Sequence, residues 1–256
     1  MTLTPQQPAI VLVPGAWMGD WIWDDVAVRL RALGDRVSTL TLPGLHAGTS
    51  PEDAAAVTLA DHVSALREHV EALDVDSVLL VGHSYSGMVV GQVADQLPDL
   101  VRHSVHIGSF LPRDGRSLID DWGENEQARA AERSDIVADG MLWAPPPPAA
   151  LQLDPALDAR QRAWLLERFV PHPGRTVLDP AQLERPITDQ RGTYVTDAPM
   201  DGDLPAGLPP ELSTAGSAWT VKRLGSGHWP MLTNRAELTQ LLHDESMATV
   251  RGVRSG

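Results

Sequence analysis

Runs of apolar residues of strand length alternate along this chain with segments whose apolar positions recur every three to four residues. That alternation predicts an α/β fold, a mostly parallel sheet covered on both faces by helices. Residues 9–13 read as a buried strand stopped by Pro14-Gly15. Trp21 to Leu33 has helical period and closes on Gly34, and Arg36 to Leu42 gives a second strand ended by Pro43-Gly44. Thr58 opens a strongly periodic helix in which Leu59, Val63, Leu66, Val70 and Leu73 share one face, with Thr58 and Asp61 spaced as a capping pair. Ser77 to Val81 is a central strand that meets Gly82 and passes into a helix from about Tyr85 to Leu97. Val101 to Ile107 is the next strand.

After that strand the pattern changes. From Pro112 to about Arg191 the chain carries the run Pro145 to Pro148, Asp-Pro turns and short helical pieces such as Ala159 to Phe169. The expectation is a helical lid inserted after the strand at 101–107, so that residues 1–111 and 192–256 form the core and residues 112–191 a lid (cap). Strand character returns at Gly192 to Thr196 and Trp219 to Leu224, and a helix of about Arg235 to Met247 follows.

Composition narrows the chemistry. At 256 residues with 43% apolar positions, one α/β domain can bury a large core. The chain has no cysteine, which excludes a thiol nucleophile, an iron–sulfur cluster and any disulfide framework, and which fits a reducing cytoplasm. A formal net charge of −14 argues against nucleic acid or an anionic membrane as partner. Residues 1–9 lack a basic leader, and no apolar run is long enough to span a bilayer. The expected partner is therefore a small-molecule substrate met in the cytoplasm, with a homodimer as a possible assembly.

The order strand, small-residue turn, helix is completed at Gly82-His83-Ser84-Tyr85-Ser86-Gly87. A serine at the apex of such a turn is held strained with its hydroxyl exposed above the sheet, as in the α/β-hydrolase fold. The positions two before and two after it must be small; here they are Gly82 and Ser86, the latter in place of the usual glycine. Serine needs an adjacent base. His228, in Gly225-Ser226-Gly227-His228, follows the last strand and precedes the last helix, where the order Ser, acid, His requires it. His83 is expected to point away from the site by turn geometry, and His103 and His106, on a strand, to be structural. His62 and His69 are too far apart on their helix to share a metal, and no metal-binding spacing occurs; neither metal nor cofactor is expected. Oxyanion donors are expected from the backbone of Tyr85 and of Ala16, in the turn Pro14-Gly15-Ala16-Trp17. The acid should follow the strand Gly192 to Thr196: Asp197 is preferred, Asp201 is the alternative, Asp203 lies close by, and Asp114 is a weaker substitute. Trp17, Trp122, Trp143 and Trp229 are expected around the substrate pocket, where indole rings favour an apolar or aromatic ligand.

At these residues the chain resembles a known group. Ile10-Val11-Leu12-Val13-Pro14-Gly15-Ala16-Trp17, Gly82 to Met88 and Gly227-His228-Trp229-Pro230-Met231-Leu232 look like the opening, elbow and base segments of the plant methylesterase and hydroxynitrile lyase group. Phe110-Leu111-Pro112-Arg113-Asp114-Gly115 and Pro171-His172-Pro173 are more similar to bacterial, chiefly actinobacterial, alpha/beta-fold esterases. The resemblance covers nearly the whole chain and implies a serine esterase working through an acyl-enzyme. The lyases carry a threonine where this chain has Gly15, and a lysine, which stabilises cyanide, where it has Trp229; their absence favours the esterase branch. A lyase or cyclase on the same scaffold and a ligand-binding receptor are the alternatives.

Overall fold

The computed structural model describes residues 7–196, 212 and 218–252. The chain begins β1 (Ala9–Val13), α1 (Asp24–Ala32), β2 (Val37–Thr39), α2 (Pro51–Ala56), α3 (Leu59–Glu71), β3 (Val78–His83), α4 (Gly87–Gln96) and β4 (Val101–Ile107). There follow α5 (Glu126–Ala138), β5 (Leu142–Trp143), α6 (Pro148–Leu151), α7 (Ala159–Arg168), β6 (His172–Pro173) and α8 (Arg175–Leu178). The remaining elements are β7 (Gly192–Thr196), β8 (Trp219–Arg223), α9 (Pro230–Thr233) and α10 (Arg235–Gly252).

Six strands form one sheet in the order β2-β1-β3-β4-β7-β8, with every neighbouring pair parallel. Period-two alternation explains why β1 is apolar throughout. Val11 and Val13 pack with Leu80 against α3 and α4, whereas Ile10 and Leu12 pack with Leu79 and Val81 against α1 and α10. All five β1 residues are buried. The helix α3 starts where its cap predicts: the Thr58 hydroxyl accepts from the Asp61 N–H at 3.1 Å and the Asp61 carboxylate accepts from the Thr58 N–H at 2.8 Å. Such a cap contributes about 1 kcal/mol, and the Thr58 hydroxyl holds the Asp61 carboxyl below its usual range.

The chain leaves β1 towards β2 on one side and returns as β3 on the other, so the order reverses between β1 and β3. In parallel α/β sheets the crevice beyond the strand ends at such a reversal is where ligands bind. Val13 stands opposite Gly82 in the register, which brings the turn after β1 beside the turn after β3. Between β4 and β7 the chain departs from the sheet into short helices and a two-residue antiparallel ladder, β5 with β6. Among the described residues no helix is long and apolar enough to cross a membrane.

Candidate active site

Ser84 follows β3 directly and has φ = 53°, the left-handed region. A non-glycine residue there costs about 1–2 kcal/mol, so the surroundings must hold it. The Ser84 carbonyl accepts from the Phe110 N–H at 3.2 Å. The Ser86 hydroxyl accepts from the His83 N–H at 2.8 Å and lies 3.0 Å from the Val13 carbonyl. Serine in place of glycine thus ties the turn to the end of β1. Gly15 is required by close approach, because a Cβ there would lie 2.9 Å from His83 Nδ1 and 3.0 Å from Ser84 Cβ.

His228 lies in the loop between β8 and α9. Its N–H donates to Asp154 Oδ2 at 2.8 Å, and its carbonyl accepts from His83 Nε2 at 2.7 Å. The His83 ring is fully buried with its centroid 4.8 Å from that of His228. His83 does not line the cavity shared by Ser84 and His228; its ring packs behind the His228 loop. Its backbone continues the extended strand (φ −111°, ψ 133°), which turns the ring towards the loop carrying His228. Burial, followed by the neighbouring His228, keeps the His83 pKa well below the ordinary histidine value; the neutral ring donates through Nε2. His228 Nδ1 lies 3.6 Å from where a Cβ on Gly108 would stand, so this nitrogen faces the carboxyl end of β4, beside which β7 ends.

Ser84 and His228 line one cavity of about 770 Å³ together with Tyr85, Trp17, Trp122, Trp143 and Trp229. Phe110, Leu118, Ile136 and the prolines 145–147 add to its apolar wall, and Glu132 and Asp135 of α5 line it with Asp139, the residue that follows α5. Among the described residues that line it there is no lysine or arginine. The indoles of Trp17 and Trp143 are 4.4 Å apart between centroids, and Trp122 meets Trp143 edge to face at 4.9 Å. Ala16 is buried and does not itself line the cavity. Asp197, Asp201 and Asp203 lie outside the described residues. Asp114 is engaged elsewhere, accepting from the Leu183 N–H at 3.0 Å. Among the described residues no group of three or more His, Asp or Glu is placed to hold a metal ion.

Behind Ser84 lies a polar network that sequence reasoning missed. His62 Nε2 meets the Pro43 carbonyl at 2.8 Å and must donate to it, so its Nδ1 accepts from the Tyr85 hydroxyl, also at 2.8 Å. His172 Nδ1 accepts from the Trp17 N–H at 3.3 Å, and its Nε2 donates to the Thr176 hydroxyl at 2.8 Å. Burial pushes the His62 pKa down to about 4, His172 well below the histidine range, and the Tyr85 phenol upward. Each group is neutral and fixed in one tautomer. His62 and His172 are 110 residues apart and show no shared motif; only the tertiary fold brings them together.

A strained serine at the end of a parallel strand, sharing a cavity with a histidine from the loop after β8, has the arrangement of an α/β-hydrolase. The chain belongs to the alpha/beta hydrolase family, whose model matches residues 10–241. It is 43% identical over 111 residues to a carbendazim hydrolyzing esterase of Nocardioides sp. (strain SG-4G), a match covering 43% of this chain and 45% of that protein. It is 35% identical over 103 residues to methylesterase 2 of Arabidopsis thaliana, covering 40% of this chain and 39% of that one. These matches span less than half the length of each relative. Among solved structures, an extracellular alpha/beta-hydrolase from a Paenibacillus species superposes with a TM-score of 0.78 at 20% identity, covering 92% of this chain and 97% of that one, which speaks for the fold alone.

Proposed function

We propose that this protein hydrolyses carboxylic esters of small apolar or aromatic molecules through an acyl-enzyme on Ser84. The observation that carries the reading is Ser84 at φ = 53° at the sheet's reversal point, on the same cavity wall as His228. The Ser84 hydroxyl attacks the ester carbonyl while His228 takes its proton; the alcohol leaves as His228 returns that proton, and water repeats the sequence to free the acid. The backbone N–H groups of Tyr85 and Ala16 hold the oxyanion. The Trp17 N–H is engaged by His172 and is not the donor from this turn. Asp197, with Asp201 as alternative, orients the imidazole; the side of His228 that bears Nδ1 faces the end of β4 beside β7, after which Asp197 follows in the chain.

The 112–191 segment acts as the cap, supplying Trp122, Trp143 and the α5 carboxylates to the pocket. Indole walls without a basic residue favour neutral or cationic aromatic esters over anionic ones. The names of the relatives, one acting on carbendazim and one a methylesterase, support ester cleavage. The lack of cysteine supports a cytoplasmic setting. The test is turnover of p-nitrophenyl and methyl esters together with labelling by a serine-directed phosphonate. Ser84 should carry the adduct, and Ser84→Ala should lower kcat by roughly 10⁴-fold or more. A wild-type protein that resists the phosphonate under conditions that label a control esterase would sink the covalent mechanism.

A further inference from the structure

The 112–191 segment touches the catalytic loops by hydrogen bonds as well as by ring contacts. Asp154, in the stretch between α6 and α7, accepts the His228 N–H on Oδ2 at 2.8 Å and the Ala156 N–H on Oδ1 at 2.9 Å. Two donors therefore fix the orientation of one carboxylate. Any side chain at position 227 would run into that carboxylate, and Gly227 has φ = 68°, so the glycine before His228 is shaped to receive Asp154. The stretch is itself braced: Arg162 on α7 donates from Nη2 to the Asp154 carbonyl and from Nε to the Leu151 carbonyl, both at 3.1 Å. Gln161 adds a bond to the Leu232 carbonyl at 3.0 Å, joining α7 to the helix that follows the His228 loop.

The same segment grips the turn after β1. Trp17 has φ = 65°, a rare conformation for a bulky residue. Its carbonyl accepts from the Val170 N–H at 3.0 Å and its indole N–H donates to the Trp143 carbonyl at 3.0 Å, beside the bond from its N–H to His172. Three bonds to one segment hold a strained residue next to Ala16.

We infer that Asp154 is a positioning residue for His228, so that the segment is part of the catalytic framework and not only a wall of the pocket. The inference rests on the hydrolytic reading. A group that only shapes the pocket changes binding equally in ground and transition states and so moves KM, whereas loss of a brace on the base loop lowers kcat. His228 is needed both to activate Ser84 and to protonate the leaving group, so a misplaced base slows turnover and phosphonate labelling together.

The experiment compares the full chain with Asp154→Ala and Asp154→Asn for p-nitrophenyl butyrate kinetics, rate of phosphonate labelling at Ser84, and Tm. Asp154→Ala should lower kcat about tenfold with KM held within about twofold, and labelling should slow by the same factor. Asp154→Asn keeps one acceptor oxygen where the carboxylate has two, and should lose about threefold in both rates. Unchanged kcat and labelling, or a rise in KM alone, overturns the inference even if Tm falls. Should Asp154→Ala fail to fold, the same criteria applied to Asp154→Asn decide. A wild type that takes no label removes the hydrolytic reading and this inference together; a wild type that labels normally beside variants of equal rate removes this inference alone.

Discussion

The turn that carries Ser84 and the 112–191 segment line one cavity, and they are held in place differently. The turn is enforced by the sheet: extended backbone up to His83, a left-handed residue at Ser84, neighbours so close that Gly15 leaves no room for a side chain, and a Ser86 hydroxyl tied to the end of β1. The segment is held at separate anchor points: aromatic contacts among Trp17, Trp122 and Trp143, bonds joining Asp154, Val170 and His172 to the catalytic loops and Gln161 to α9, and Arg185 paired with Asp95 of α4. A scaffold of the first kind fixes reacting atoms. A structure of the second kind can change its walls between its anchors without disturbing them, which suits a pocket that sets substrate choice; Asp154 is one of the anchors.

The hardest test of this contrast falls on the turn. Gly15→Ala places a methyl within about van der Waals overlap of His83 Nδ1 and Ser84 Cβ, neither of which can move without shifting the strained turn. Misplacing a reacting atom by ~1 Å costs on the order of 10²-fold. Gly15→Ala should therefore lower kcat by about that factor with KM nearly unchanged, measured with a small neutral ester. Near-normal kcat would mean that the turn yields more than its packing suggests.

On the segment the expected effect is smaller and of another kind. Trp122 is half-buried, 5.9 Å from Phe110 and 4.9 Å from Trp143 between ring centroids. Trp122→Ala removes a wall and leaves Ser84 and His228 where they are. KM for an aromatic ester should rise about tenfold with kcat within about twofold. A fall in kcat as large as that of Gly15→Ala would erase the distinction between scaffold and wall.

The same contrast governs what could be read from residue order. Strand β1 was legible to the residue because a buried parallel strand is an unbroken apolar run, here stopped by Pro14-Gly15; β4 and β7 were legible from shorter β-branched and aromatic stretches of strand length, and α3 from its cap and period. Strand β2 forms only over Val37–Thr39, shorter than the apolar pattern from Arg36 to Leu42 suggests, because it is an edge strand paired with β1 alone. Ser84 and His228 were legible because chain order and a small-residue turn are local signals. Asp154, His172 and the α5 carboxylates were not. Asp154 reads as an ordinary Asp-Pro turn, and its bond to a backbone N–H 74 residues away leaves no trace in periodicity. The bond from His83 to the His228 carbonyl was not legible either, because turn geometry alone does not say which loop will pack against that ring.

The smallest predicted effect concerns charge at the cavity's edge. Asp135 on α5 and Asp139, four residues on at its C-terminal cap, are both exposed and line the same cavity as Ser84. Glu132, a turn earlier, accepts from the Trp143 indole N–H at 2.5 Å and so has a packing role that complicates its replacement. For exposed charges several ångströms from a ligand, water screens each interaction to a few tenths of a kcal/mol, and added salt weakens it further. The double variant Asp135→Asn with Asp139→Asn should therefore raise kcat/KM for an anionic p-nitrophenyl ester about two- to threefold relative to a neutral ester of the same size. The gain should shrink at high ionic strength, and the neutral ester should be unaffected in kcat, since neither side chain touches the reacting atoms. A ratio that does not move at low ionic strength would place the ester's charged end away from α5, and would leave the indole walls as the sole source of selectivity.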